Sequence, residues 1–133
     1  MRTRRLLVVD AHRRVRSALL ARLARVPGIM VVGDTAEEDE AVRLAVNLQP
    51  DIILLEPKQL DATHLVRHLR EVAPASRVVV QTSYPDLWEE ETLLQAGAST
   101  YLLKTLDLNS LWPWFGEAPP LDAGWYSNDV LPF

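Results

Sequence analysis

Five short apolar runs, each rich in Val, Ile or Leu and lacking polar alternation, constrain the fold of this chain more than any other feature. A strand that is buried on both faces has this character, whereas a strand with one wet face alternates. The runs therefore predict a parallel sheet that is covered on both sides. They are Leu6–Val9, Ile29–Val32, Ile52–Leu55, Val78–Gln81 and Tyr101–Leu103.

Helical patterns separate the five runs. Apolar residues recur at spacings of three and four from Val15 to Val26, and Pro27-Gly28 then ends the pattern. Similar stripes follow over 41–48, 65–69 and 87–96, and Gly97 is a C-terminal stop for the last one. Strands that alternate with helices predict an α/β fold with right-handed crossovers. Functional groups are then expected at the carboxyl ends of the strands.

Length and composition limit the class of protein. A chain of 133 residues fits a single domain with its own core. It has no cysteine, which excludes disulfides and thiolate metal sites. No apolar stretch approaches the roughly 20 residues of a membrane span, and the amino terminus does not read as a signal peptide. We therefore expect a cytoplasmic protein with no membrane association.

Charge is distributed unevenly along the chain. The net charge is −4, which disfavours non-specific binding of nucleic acid by the whole molecule. The first 25 residues nevertheless carry eight arginines against the single acid Asp10. An arginine-rich first helix could contact nucleic acid or an acidic partner, although such a run is more often a solvated helix face.

Four polar residues follow four of the predicted strands. Asp10, Glu56, Thr82 and Lys104 stand directly after, or at the end of, the first, third, fourth and fifth runs. The carboxyl ends of parallel strands lie at one edge of a sheet, so these side chains are expected to converge.

With these residues the chain resembles response-regulator receiver domains over 4 to about 112, and most of all receivers that precede helix-turn-helix output domains. The resemblance implies a flavodoxin-like three-layer sandwich with strand order 2-1-3-4-5. It places Glu56 at the phosphoacceptor position, Thr82 and Lys104 at phosphate-contacting positions, and Tyr101 at the switch aromatic. The strings that carry it are LVVDAH at 7–12, QPDIILL at 49–55, VVQT at 79–82 and AGASTYLLK at 96–104.

The chain departs from the receiver pattern where the family binds Mg²⁺. The family's acidic pair is reduced to Asp10 because Ala11 occupies the second position, and the acceptor is Glu56 rather than aspartate. Mg²⁺ requires nearly octahedral oxygen coordination, and it stabilises the charge of a phosphoryl group in transfer. We therefore expect no bound metal or other cofactor and no enzymatic activity. We hypothesise that Glu56 pairs with Lys104 and hydrogen-bonds Thr82, which would fix one conformation without phosphate.

The function predicted from these departures is an atypical stand-alone receiver in two-component, phosphorelay-type signalling that acts by protein–protein contacts without phosphorylation. Two alternatives stay open. One is a working phosphoacceptor that uses Glu56 or Asp10 with Mg²⁺. The other is an adaptor that contacts nucleic acid through the arginine-rich first helix.

The carboxyl-terminal part of the chain is aromatic. Pro113 interrupts the expected fifth helix, which predicts a short or irregular element. We expect a receiver-like domain over 1–116 and a tail over 117–133, with no output domain. The aromatic residues either cover the core or form an interface, and a homodimer through the fourth/fifth or first/fifth helix face is expected. The candidate interface residues are Trp112, Trp114, Phe115, Trp125 and Tyr126.

Overall fold

The structure is a computed structural model that describes residues 3–104. Five parallel strands form one sheet in the order β2-β1-β3-β4-β5. This confirms the predicted α/β class and strand order. The strands and helices alternate along the chain as β1 (Arg4–Val9), α1 (Arg13–Leu23), β2 (Ile29–Thr35), α2 (Glu38–Leu48), β3 (Ile52–Leu55), α3 (Ala62–Val72), β4 (Arg77–Thr82), α4 (Leu87–Ala96) and β5 (Thr100–Leu103).

Two apolar layers hold the helices on opposite faces of the sheet. Helices α2, α3 and α4 pack on one face, where Ala45, Leu65 and Leu93 belong to the same buried cluster. Helix α1 packs on the other face through Leu23, which belongs to a second cluster with Leu6 and other strand residues. Central strand β3 is buried along its whole length, as its continuous apolar run predicts.

Local signals in the sequence fix where several helices begin and end. His12 caps α1 because its Nδ1 accepts a hydrogen bond from the Val15 backbone N–H at 3.3 Å. Asp86 caps α4 in the same way, accepting from the Glu89 N–H at 2.9 Å. Gly97 ends α4 with a φ of 120°, which side-chain-bearing residues rarely adopt.

None of the helices within residues 3–104 combines the length and the hydrophobicity that a membrane span requires. The short fifth helix, the domain boundary at 116 and the tail over 117–133 lie outside the described residues. The same is true of the interface candidates from Trp112 to Tyr126.

Candidate functional site

The four polar residues predicted to converge do so at the carboxyl edge of the sheet. The Glu56 N–H donates a hydrogen bond to the Val9 carbonyl at 2.9 Å, which places the end of β3 beside the end of β1. The Lys104 N–H bonds the Thr82 carbonyl at 2.7 Å, which does the same for β5 and β4. Asp10 and Thr82 are buried, and Glu56 and Lys104 are partly buried.

Asp10 is the most tightly held acid of the site. Its side chain is 2% exposed, and its Oδ2 accepts a hydrogen bond from Lys104 Nζ at 2.8 Å. Its Oδ1 accepts from the His12 backbone N–H at 2.8 Å. Both carboxylate oxygens are therefore engaged by the protein itself.

The prediction that Lys104 pairs with Glu56 is therefore wrong, because Lys104 forms its ion pair with Asp10 instead. Asp10 is the more deeply buried of the two acids, and an uncompensated charge there costs several kcal/mol. Glu56 is half-buried and its carboxyl can meet part of the cost of burial by holding a proton. The lysine thus bonds the more deeply buried of the two acids.

The lysine also crosses the site to reach its partner. Strands β3 and β4 lie between β1, which precedes Asp10, and β5, which precedes Lys104. Neighbouring strands are about 4.8 Å apart. The Lys104–Asp10 ion pair therefore spans the carboxyl ends of β3 and β4, and Glu56 directly follows β3.

Glu56 is held less firmly. Its Oε1 accepts from the Thr82 hydroxyl at 3.4 Å, the bond that was expected, but at a distance longer than the usual O–H···O range. Its Oε2 is buried and has no hydrogen-bond partner within the described residues. Burial raises the pKa of the Glu56 carboxyl, against the opposing effects of the Lys104 charge and the Thr82 hydrogen bond.

Tyr101 is half-buried and packs against the core cluster that lies under α2, α3 and α4. Its hydroxyl donates to Glu89 Oε1 at 2.7 Å and accepts from the Asp86 N–H at 3.1 Å. Burial is the main cause that raises the pKa of Tyr101, and the hydrogen bond to Glu89 adds to it. The first turn of α4 therefore sets the position of the ring.

Glu89 and Lys58 belong to this site although the sequence did not single them out. Lys58 Nζ donates to Glu89 Oε1 at 2.9 Å, the same oxygen that Tyr101 reaches. Glu89 thereby joins the loop after Glu56 to β5. Lys58 and Glu89 are 31 positions apart in the sequence, so no local pattern could have revealed their contact.

The residues of the site fit Mg²⁺ poorly. Ala11 offers no side-chain oxygen, and Lys104 occupies one oxygen of Asp10. Among residues 3–104, no group of three or more His, Asp or Glu side chains could hold a metal ion. Of the four carboxylate oxygens of Asp10 and Glu56, only Glu56 Oε2 lacks a hydrogen-bond donor within the described residues. One such oxygen is too few for an ion that prefers six ligands.

Comparison with known families decides where the chain belongs. The family described as "Response regulator receiver domain" matches residues 6–113. The chain belongs to this receiver family. This confirms the resemblance inferred from the strand-end motifs.

Individual relatives agree with the family match. The transcriptional regulatory protein LiaR of Bacillus subtilis is 36% identical over 103 residues, covering 76% of this chain and 49% of that protein. The response regulator GacA of Pseudomonas aeruginosa is 32% identical over 109 residues, covering 80% and 51% respectively. The chain thus spans about half the length of the curated relatives it matches.

Solved structures of response regulators share the fold of this chain. A two-component response regulator of the LuxR family from Aurantimonas aligns with a TM-score of 0.72 at 30% identity, covering 77% of this chain and 75% of that one. A response regulator from Burkholderia pseudomallei with a phosphorylated aspartic acid and a calcium ion aligns with a TM-score of 0.71 at 25% identity, covering 81% and 64%.

Proposed function

We propose that this receiver works in two-component signalling through protein–protein contacts and without phosphorylation. One observation carries the proposal. Lys104 Nζ is bonded to Asp10 at 2.8 Å, so the lysine and the only acid left of the family's acidic pair already neutralise each other. A phosphoryl group on Glu56 would have to draw this lysine away from a carboxylate that is 2% exposed.

The acceptor position and the poor metal site support the same conclusion. Glu56 extends one methylene further than aspartate would, and Ala11, next to Asp10 in the chain, has no side-chain oxygen to hold a divalent ion. Without a metal, the charge that develops on a transferring phosphoryl group lacks its usual stabilisation. Under this proposal the receiver is neither an enzyme nor dependent on Mg²⁺. Its partners are proteins.

Acetyl phosphate with Mg²⁺, followed by intact-mass spectrometry, tests the proposal. The wild-type protein should keep its mass, because Lys104 is already paired with Asp10 and the site offers too few oxygen ligands to hold Mg²⁺ beside Glu56. The double variant Ala11→Asp/Glu56→Asp restores the family's acids and serves as the positive control, which should gain one phosphoryl group. A stable gain of one phosphoryl group by the wild-type protein would refute the proposal.

A working phosphoacceptor is the second candidate, and the unpartnered Oε2 of Glu56 favours it. A carboxylate oxygen without a donor is a possible nucleophile. The same labelling experiment with Glu56→Gln and Asp10→Asn identifies the modified residue. Retention of the label in both variants would exclude both acids as the acceptor.

Nucleic-acid binding through α1 is the third candidate. Arg13, Arg14 and Arg25 are exposed, and one relative is named a transcriptional regulatory protein. Binding of duplex DNA that weakens steeply with salt, and weakens again in Arg13→Glu/Arg14→Glu, would support it. Equal binding of DNA by the wild type and by Arg13→Glu/Arg14→Glu would dismiss this candidate.

A homodimer through the fourth/fifth or first/fifth helix face and a stand-alone mode of action stay predictions, because the segment after Lys104 lies outside the described residues. Deletion of 117–133 tests the role of the tail. If the shortened protein keeps its stability but no longer self-associates, the tail forms an interface. If it loses stability and keeps its oligomeric state, the tail covers the core.

A further inference from the structure

Helix α4 carries large apolar side chains on its outer face as well as its inner one. Leu87 and Trp88 are 85% and 77% exposed, and Leu94 is also exposed, while Leu93 is buried on the opposite side. Leu87 and Leu94 are seven residues apart and so lie on the same face of the helix. A helix that is apolar on both faces normally has a partner on each. We call Leu87, Trp88, Glu90, Glu91 and Leu94 the α4 surface.

The charges of the α4 surface limit what can cover it. Glu90 and Glu91 stand among its apolar residues, and exposed Asp86 lies at its end. The chain's own segment 105–133 carries four acids and no Lys, Arg or His, so like charges disfavour it as the cover. The α4 surface of a second copy would also bring acid against acid. The occupant therefore has to present arginine or lysine.

Helix α1 of a second copy has the required chemistry. Arg14, Ala18 and Ala21 are exposed on the outward face of α1, and exposed Arg25 follows in the turn just after the helix ends at Leu23. The arginines stand at the two ends of this face, and the alanines between them leave space for side chains as large as Trp88. We call these four residues the α1 surface. It complements the α4 surface in both charge and side-chain size.

The two surfaces cannot meet within a single copy. Helix α1 packs on one face of the sheet and α4 on the other. One copy therefore offers its α1 surface to one neighbour and its α4 surface to a different neighbour.

We propose that receivers of this protein associate head to tail, with the α4 surface of one copy bound to the α1 surface of the next. Such a contact is heterologous, so it extends to chains or closed rings rather than stopping at a two-fold dimer. The proposal does not depend on whether Glu56 accepts phosphate.

Sedimentation equilibrium of the full chain over a range of protein concentrations tests the proposal. The average mass should rise past that of a dimer and fall when salt is added, because the arginine–glutamate pairs are screened. Trp88→Ser should weaken association about tenfold or more, as expected for a buried aromatic at the centre of a contact. Val46→Ser is the matched control, since Val46 is an exposed apolar residue of α2 outside both surfaces, and it should have no effect.

Charge reversal identifies the two surfaces directly. Glu90→Arg/Glu91→Arg and Arg14→Glu/Arg25→Glu should each be monomeric alone, because each opposes like charges. An equimolar mixture should associate again, since both of its mixed contacts pair opposite charges. A wild-type protein that is monomeric at every concentration, a mass that stops at the dimer, or a mixture that stays monomeric would each overturn the proposal. Circular dichroism of every variant confirms that it is folded.

Discussion

Lys104 donates to Asp10 across the carboxyl ends of two intervening strands, with 2.8 Å between Nζ and Oδ2. The receiver's lysine is thereby committed to an acid of the first strand's end and not to the acceptor position. The arrangement gives the buried carboxylate of Asp10 an internal counter-ion.

Removal of the lysine should destabilise the fold far more than removal of the chain's other lysine. Lys104→Met leaves Asp10 buried and uncompensated, and we expect a loss of about 3 kcal/mol in the free energy of unfolding. Lys58→Met is the matched control, because its partner Glu89 is more exposed than Asp10. We expect this second loss to be below about 1 kcal/mol. Urea unfolding at neutral pH measures both, and equal losses would contradict the account of the Asp10 pair.

The buried carboxyl of Glu56 should make stability fall as pH rises. Burial raises its pKa in the folded state above the ordinary value of 4.5, so the folded protein holds this proton more tightly than the unfolded chain. This contribution to stability is complete below pH 4.5 and is lost as pH rises through the folded-state value. Glu56→Gln should therefore gain stability over the wild type at pH 8 but not at pH 4.

Paired urea titrations of the wild type and Glu56→Gln at the two pH values check this expectation. Glu71→Gln, at an exposed position of α3 outside the α4 and α1 surfaces, is the control, and its stability relative to the wild type should be the same at both pH values. A difference between wild type and Glu56→Gln that is the same at both pH values would show that the carboxyl is not perturbed in the folded state.

Tyr101 and Glu89 should be energetically coupled. Their side chains share a 2.7 Å hydrogen bond on the partly buried side of α4. A double-mutant cycle of Tyr101→Phe and Glu89→Ala should give a coupling energy of about 1 kcal/mol. The cycle of Lys58→Met with Glu89→Ala should give less, since an ion pair that is partly open to solvent contributes little to stability. A coupling of zero between Tyr101 and Glu89 would mean that the helix does not hold the ring.

Gly97→Ala should cost about 2 kcal/mol of stability. The residue has a φ of 120°, and an added Cβ would lie 2.7 Å from Arg70 Cγ. Arg70 cannot easily move away, because its guanidinium donates to the Ser76 carbonyl at 2.7 Å. Gly33→Ala is the control: its Cβ would lie 3.2 Å from Leu48 Cδ1, 3.4 Å from Leu7 Cδ1 and 3.7 Å from Leu44 Cδ1, which are all side-chain ends. Thermal unfolding should show a clearly larger fall for Gly97→Ala.

The sequence predicted the fold closely where local signals and burial agree. Helix α4 begins and ends where expected, because Asp86 caps it and Gly97 stops it. Strand β3 matches its apolar run residue for residue. Strand β2 extends past its predicted end to Thr35, since pairing with β1 holds Gly33 and Asp34, which have little strand character of their own.

The site was predictable in its members but not in its bonds. Strand ends brought Asp10, Glu56, Thr82 and Lys104 to one edge, as the topology requires. Which acid the lysine reaches depends on how deeply each acid is buried, and that is a property of the packed structure. Glu89 could not be foreseen for a related reason, because its contacts come from two other segments of the chain.

The Lys104–Asp10 ion pair joins residues 94 positions apart in the sequence. It can form only after β3 and β4 have taken their places between its two ends, so loop closure and strand pairing must come first. We expect this contact to be absent from the transition state for folding. Its loss should therefore speed unfolding and leave the rate of refolding almost unchanged. The lysine that neutralises the site then also sets how long the native sheet survives once formed.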